Sequence, residues 1–252
     1  MEHKQWLRKV DGSPVAVLMI HGIAGTPAHF RDLLPVIPEQ WTLYNILLDG
    51  HSKTVEDFSR TSMQKWKQQV AQAVEQLLTS HEKLILIAHS MGTLFALRAA
   101  IRYPDRIPFL FLLNVPTRPW VRFSTLQTCL RVSRGNLRED DHAAWAMFHD
   151  TGIQLVPQLW RYIGWTPRLI ELLFEIRQVR KLLPQLRVPT YAFQSETDEL
   201  VSARSCKDLE GHPSIQTVLF KDSGHFCYTD TDTALLQKTL HGLLEEVSAQ
   251  IR

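Results

Sequence analysis

The chain has 252 residues, 44% of them hydrophobic and 21% charged, with a formal net charge of +2. That length supplies a sizeable core for one large domain or a domain with an insertion, and the near-balanced charge gives no argument for a nucleic-acid partner. Cys129, Cys206 and Cys227 have no CxxC spacing and no paired histidines, so neither a disulfide framework nor a zinc site is expected. The leading MEHKQWLRKVDG lacks the apolar run of a secretion signal, and no segment approaches the roughly 18 apolar residues of a membrane span. A cytoplasmic protein is the expectation.

Val15–Ile20 (VAVLMI) is the first strong strand pattern. A loop, HGIAG, follows, and Thr26-Pro27 then reads as a cap plus first-turn proline for a helix bearing Phe30, Leu33, Leu34 and Ile37. A second strand covers 41–48 (WTLYNILL), and Trp66, Val70, Ala73, Val74, Leu77 and Leu78 stripe the next helix. The run 84–88 (LILIA) is a third strand, followed by a helix striped by Leu94, Leu97 and Ile101 that stops before Pro104. A fourth strand covers 108–113 (PFLFLL).

The rhythm then breaks. From 115 to 187 no strand pattern is convincing, and the clearest element is a helix from Thr166-Pro167 to about Leu183, apolar on more than one face. This stretch is rich in aromatic residues and holds eleven Lys and Arg against six Asp and Glu, a net +5 that reads as solvated helix faces. Strands return at 189–193 (PTYAF) and 217–220 (TVLF), and Leu236, Leu240, Leu243, Leu244 and Val247 stripe a last helix. Strands that are apolar throughout, alternating with helices, imply a mainly parallel sheet covered on both faces. The expected organisation is an α/β core made of 1–114 and 188–252, with 115–187 a helical cap inserted between two core strands.

The apolar run at 84–88 stops on Ala88-His89-Ser90-Met91-Gly92 and restarts at once as a helix. A serine on a strand–turn–helix, with small residues two before and two after, is a nucleophile elbow; alanine replaces the glycine usual at the first of these positions. A serine hydroxyl needs a base, and the base an orienting acid; on an elbow of this kind the chain order is serine, acid, histidine. After PTYAF comes Gln194-Ser195-Glu196-Thr197-Asp198-Glu199, and after TVLF comes Lys221-Asp222-Ser223-Gly224-His225. Asp198 is the expected acid and His225 the expected base. Glu196 and Glu199 stay open as alternatives and are expected to face solvent, whereas Asp222 is too near His225 in sequence and Asn114 cannot serve as an acid. His89 should point away from Ser90, and His21 should fix its own loop. The negative oxygen of acyl transfer needs two N–H groups, assigned to Met91 at a helix start and to Ile23 in the glycine-bearing loop. That loop lacks GxGxxG and GK[ST], so a phosphate loop is excluded.

The set HGIAGTP, VEDF, AHSMG, ETDELV and DSGH, in this order and spacing, resembles the α/β-hydrolase family, most closely its bacterial carboxylesterase and monoacylglycerol-lipase-like group. The resemblance covers nearly the whole chain, with 115–187 matching only as a generic helical cap. It implies a Ser90–Asp198–His225 triad, an oxyanion hole at Ile23 and Met91, no metal or organic cofactor, and a small apolar ester substrate. Cleavage of short- to medium-chain carboxylic esters, extending to monoacylglycerols, is the expected activity. A thioesterase, an acyltransferase, a C–C bond hydrolase or a non-catalytic ligand-binding protein could use the same residues. Trp120, Phe123, Trp145 and Phe148 are the candidate acyl-pocket rings.

Overall fold

The computed structural model describes residues 3–120, 123–139 and 141–251, apart from the side chains of Phe123, Ser124, Leu126, His142 and Ala143. Seven strands form one sheet: β1 (Trp6–Arg8), β2 (Val15–Ile20), β3 (Thr42–Ile46), β4 (Lys83–His89), β5 (Leu110–Leu113), β6 (Thr190–Ser195) and β7 (Ile215–Phe220). Their order is β1-β3-β2-β4-β5-β6-β7, parallel throughout except for β1, which pairs antiparallel with β3. The helices are α1 (Val55–Ser59), α2 (Met63–Ser80), α3 (Met91–Arg102), α4 (Phe123–Ser133), α5 (His142–Asp150), α6 (Thr166–Leu182), α7 (Ser205–Leu209) and α8 (Asp230–Ile251).

Alternation along β2 sorts the core into two layers. Ala16, Leu18 and Ile20 pack with residues of α1, α2, α3 and α6 on one face of the sheet, and Val15, Val17 and Met19 with Phe30, Leu33 and residues of α8 on the other. Burial on both faces is why β2 and β5 are apolar at every position. α6 packs on α2 and α3. Its Glu175, buried at the contact, bonds Lys67 of α2 and Arg98 of α3 and so carries its charge into the interior with partners on both neighbours. Between β5 and β6 the described residues form helices and no strand.

Two local expectations are corrected. The segment after Thr26 is not an α-helix but two short 3-10 turns, Pro27–Phe30 and Leu34–Val36. Thr26 does cap the first, accepting from Ala28 N–H at 3.3 Å. Pro35, however, has no N–H to give to an earlier carbonyl, and its ring crowds the preceding turn, so the apolar spacing cannot be realised as one helix. The other correction is β1, three residues at the sheet edge that carry no apolar pattern of their own.

After β3 the chain crosses over β2 to form β4, so the loops after β2 and β4 leave the carboxyl edge side by side at the point where strand order reverses. In open α/β sheets that crevice is where ligands bind. Here it receives the HGIAG loop and Ser90.

Candidate active site

Ser90 stands between β4 and α3 with φ 49° and ψ −123°, a positive-φ conformation costly for any residue with a side chain. The turn is held from both ends: Ser90 N–H donates to Leu113 O at 2.8 Å, and Thr93 N–H and hydroxyl donate to Ser90 O at 3.0 and 2.6 Å. Gly92 is required by contact. A Cβ there would overlap the Ile20 carbonyl and lie 2.7 Å from His21 O. On the other side a Cβ on Gly22 would lie 2.9 Å from the Ser90 Cβ. The sequence therefore brings the β2 loop and the elbow into contact by leaving both positions bare.

Asp198 and His225 meet, both 2% exposed. His225 Nδ1–H donates to Asp198 Oδ2 at 2.7 Å, while Asp198 Oδ1 accepts the N–H groups of Leu200 and Val201, each at 2.7 Å. Three bonds fix the carboxylate plane, and the Nδ1–H bond leaves Nε2 as the basic nitrogen. Glu196 is exposed, as expected, but Glu199 is not a solvent residue: its Oε2 accepts the backbone N–H of His225 at 2.7 Å. The correction has a simple cause. Asp198 turns the loop back beneath His225, and the next carboxylate then reaches the free N–H of the same residue.

The carbonyl of His225 is held as firmly as its ring. His89 Nε2–H donates to it at 3.1 Å and Asn114 Nδ2 at 3.2 Å, and the His89 and His225 ring centroids are 4.7 Å apart. His89, expected to point away from Ser90, directs its ring to the His225 carbonyl. Burial and the neighbouring His29 and His225 push its pKa well below the usual imidazole value, so it stays neutral with Nε2–H available. Asn114 sits at the tip of β5 with φ 52°, a conformation that asparagine tolerates better than most residues. Its position was legible; its role as a clamp depends on a loop 111 residues away.

A family model described as the alpha/beta hydrolase fold matches residues 15–130. A metagenome-derived lipolytic enzyme from a study of LipS and LipT superposes with a TM-score of 0.70 at 18% identity, covering 96% of this chain and 98% of that one. The fold is that of the α/β hydrolases. The Paleococcus ferrophilus monoacylglycerol lipase superposes with a TM-score of 0.67 at 15% identity, over 97% and 99% of the two chains. In sequence, the chain is 30% identical over 96 residues to the thermostable monoacylglycerol lipase of Bacillus sp. (strain H-257). That match spans 38% of each protein. These likenesses are lipase- and esterase-like, and among the described residues no helix is long and apolar enough to cross a membrane.

In this α/β-hydrolase frame the HGIAG loop is fixed by two histidines. His21 Nδ1–H donates to Gly22 O at 2.8 Å and its Nε2 accepts Leu48 N–H at 3.0 Å. His51 Nε2 accepts Ala24 N–H at 3.2 Å, and its Nδ1–H points at Leu48 O and Asp49 O. Ala24, at φ 56°, is thereby held in a left-handed turn beside Ile23. Both rings must be neutral to accept at Nε2. Burial achieves this, pushing His21 well below the usual value and His51 down to about 4.

A pH dependence of stability follows. Between the unfolded imidazole value near 6.5 and the folded His51 value of about 4, the unfolded chain binds the additional proton. Stability is therefore fully present above pH 6.5 and is lost as pH falls toward 4, by roughly 3 kcal/mol for His51 alone. The melting temperature should fall over this window, and fall less steeply in a His51→Asn chain. Equal slopes would show that protonation of His51 does not drive the loss.

Of the candidate rings whose side chains are described, Trp145 and Phe148 meet edge to face with centroids 6.0 Å apart. Trp120 is 62% exposed, and its backbone N–H donates to Leu200 O at 2.8 Å. Trp145 stacks on His149 at 5.8 Å, and Phe148, 47% exposed, lines a groove together with Arg31, His51 and Ile153. The Phe123 side chain lies outside the described residues. Sequence reasoning did not find the tie at the end of α5, where buried Asp150 accepts from His29 Nδ1–H at 3.1 Å and Arg31 Nη1 at 3.0 Å. Its partners are 121 and 119 residues away, so no local pattern signals it.

Proposed function

We propose that this α/β-hydrolase-fold protein is a serine hydrolase that cleaves carboxylic esters through an acyl-Ser90 intermediate, with Asp198 and His225 completing the triad. The observation that carries the reading is the buried Asp198–His225 bond of 2.7 Å, on loops anchored to the same carboxyl edge as the strained Ser90 elbow. Ser90 Oγ attacks the ester carbonyl as His225 Nε2 takes its proton. The carbonyl oxygen gains negative charge, for which the N–H groups of Ile23 and Met91 are the assigned donors. Collapse expels the alcohol, which takes the proton from His225; water, deprotonated by the same nitrogen, then releases the acid and restores Ser90. Asp198 stabilises the imidazolium in both halves. Every step is supplied by side chains and backbone of this chain.

The helical stretch 115–187 acts as the cap, and small apolar esters of short to medium chain length, extending to monoacylglycerols, are the substrates we assign. Lipase- and esterase-like neighbours support this class. Three free thiols, Cys129, Cys206 and Cys227, fit the reducing cytoplasm we infer as its setting. The test is a screen of p-nitrophenyl esters from C2 to C16 with monoacylglycerols and acyl-CoA. Oxygen esters of C2 to C10 should be turned over best. Hydrolysis confined to acyl-CoA would instead assign a thioesterase.

A further inference from the structure

A groove of about 830 Å³ lies where the cap meets the core, large enough for a small-molecule ligand. Val132, Phe148, Ile153 and Leu155 give it an apolar side. Lys4, Arg31 and Lys53, together with His149, also line it, and no carboxylate does among the described residues. Arg31 is partly compensated by Asp150 behind it, whereas Lys53 is exposed on the rim. One polar group there has no internal explanation. Ser52 Oγ is buried with no hydrogen-bond partner, on a residue strained at φ 59°. A buried hydroxyl left unpaired costs free energy, which turning the side chain toward an anion in the groove would recover.

The groove's lining is tied to elements of the proposed site at two points. The cap segment that forms one wall is tied to the HGIAG loop by Gly152 N–H to Ala24 O at 2.9 Å, and to Lys53 by Gln154 N–H to Lys53 O at 3.0 Å. Val132 and Leu155 pack in one apolar cluster with Phe226, whose ring lies 4.8 Å from that of His225. A molecule with an apolar body and a remote negative charge matches this arrangement: the body against Val132 and Leu155, the charge toward Ser52 and Lys53.

We propose that the groove receives the anionic end of the substrate, so that the enzyme prefers esters bearing a carboxylate several carbons from the scissile bond. This inference rests on Ser90 being the acylated residue. The test compares p-nitrophenyl hexanoate with the mono-p-nitrophenyl ester of adipic acid, which has the same chain length and one added charge. The wild-type kcat/KM should favour the adipate ester by about tenfold, chiefly through KM, and less at high salt. Lys53→Glu should abolish the preference and leave the hexanoate value within about twofold. Ser52→Gly, which suits the positive φ and removes the hydroxymethyl side chain, should reduce the preference. Equal values for both esters in the wild-type and Lys53→Glu chains would overturn the proposal. So would free adipate altering hexanoate turnover with no preference for the adipate ester, the mark of an effector site.

If neither ester were turned over, the hydrolase reading would fail, and calorimetry with monomethyl adipate would decide the groove separately. Binding to the wild-type chain that is lost in Lys53→Glu supports an anion site, and no binding to either removes it.

Discussion

Ser90→Ala should fold with an unchanged melting curve and lose p-nitrophenyl ester turnover by at least about 10³-fold. The fold should survive because the backbone ties of the elbow, to Leu113 O and from Thr93, use only main-chain atoms of Ser90. Alanine adopts the same φ of 49° with no added bulk against Gly22. Activity should not survive, since the covalent bond to the acyl group is made by the deleted oxygen. A small residual rate is expected because the donors at Ile23 and Met91 and the imidazole of His225 remain to assist attack by water. The measurement is kcat/KM on p-nitrophenyl butyrate alongside thermal unfolding. Retained turnover in a folded variant would exclude Ser90 as the nucleophile.

Asp198→Asn should cost at least about 10²-fold in kcat; the same change in the serine-protease triad costs about 10⁴-fold. The geometry dictates how the variant fails. Asp198 Oδ1 accepts two N–H groups at 2.7 Å, so the amide oxygen of asparagine must take that place. Its NH₂ then faces His225 Nδ1, which can accept only if the ring proton moves to Nε2, the nitrogen that must receive the Ser90 proton. Glu199 provides the control. Glu199→Gln keeps an oxygen for His225 N–H and should lose less than about fivefold, whereas Glu199→Ala leaves that N–H unpaired and should lose about tenfold. Rates for all three on one ester, each with its melting curve, check the assignment. A larger loss for Glu199→Gln than for Asp198→Asn would move the acid.

The contrast between these two carboxylates shows where sequence reasoning stops. The central strands β2, β4 and β5 were legible because burial on both faces forces apolar residues at nearly every position, whereas β7, at the sheet edge and partly exposed, showed only the short run TVLF. Asp198 and His225, joined by a 2.7 Å hydrogen bond, follow β6 and β7 on the carboxyl edge where Ser90 follows β4, so topology places the three candidates on one edge without knowledge of side chains. What sequence pattern missed depends on distances between separate loops. Glu199 binds a backbone 26 residues on, His51 an N–H 27 residues back, and Asn114 a carbonyl 111 residues on, and none leaves a periodic trace. Pro35 was visible, but the apolar spacing around it suggested a helix that proline chemistry forbids. The stretch 115–187 is the extreme case. Its helices can be read, but which ring faces the groove is set by contacts such as Asp150 with His29 and Arg31.

Whether Ser90 is an activated nucleophile is tested most directly by covalent labelling. A fluorophosphonate attached to a reporter should modify one serine per chain, and mass spectrometry should place the adduct on the peptide containing Ala88-His89-Ser90-Met91-Gly92. The label should be absent from Ser90→Ala and slowed in Asp198→Asn. A stoichiometric adduct on any other serine, or labelling that persists in Ser90→Ala, would show that the nucleophile lies elsewhere.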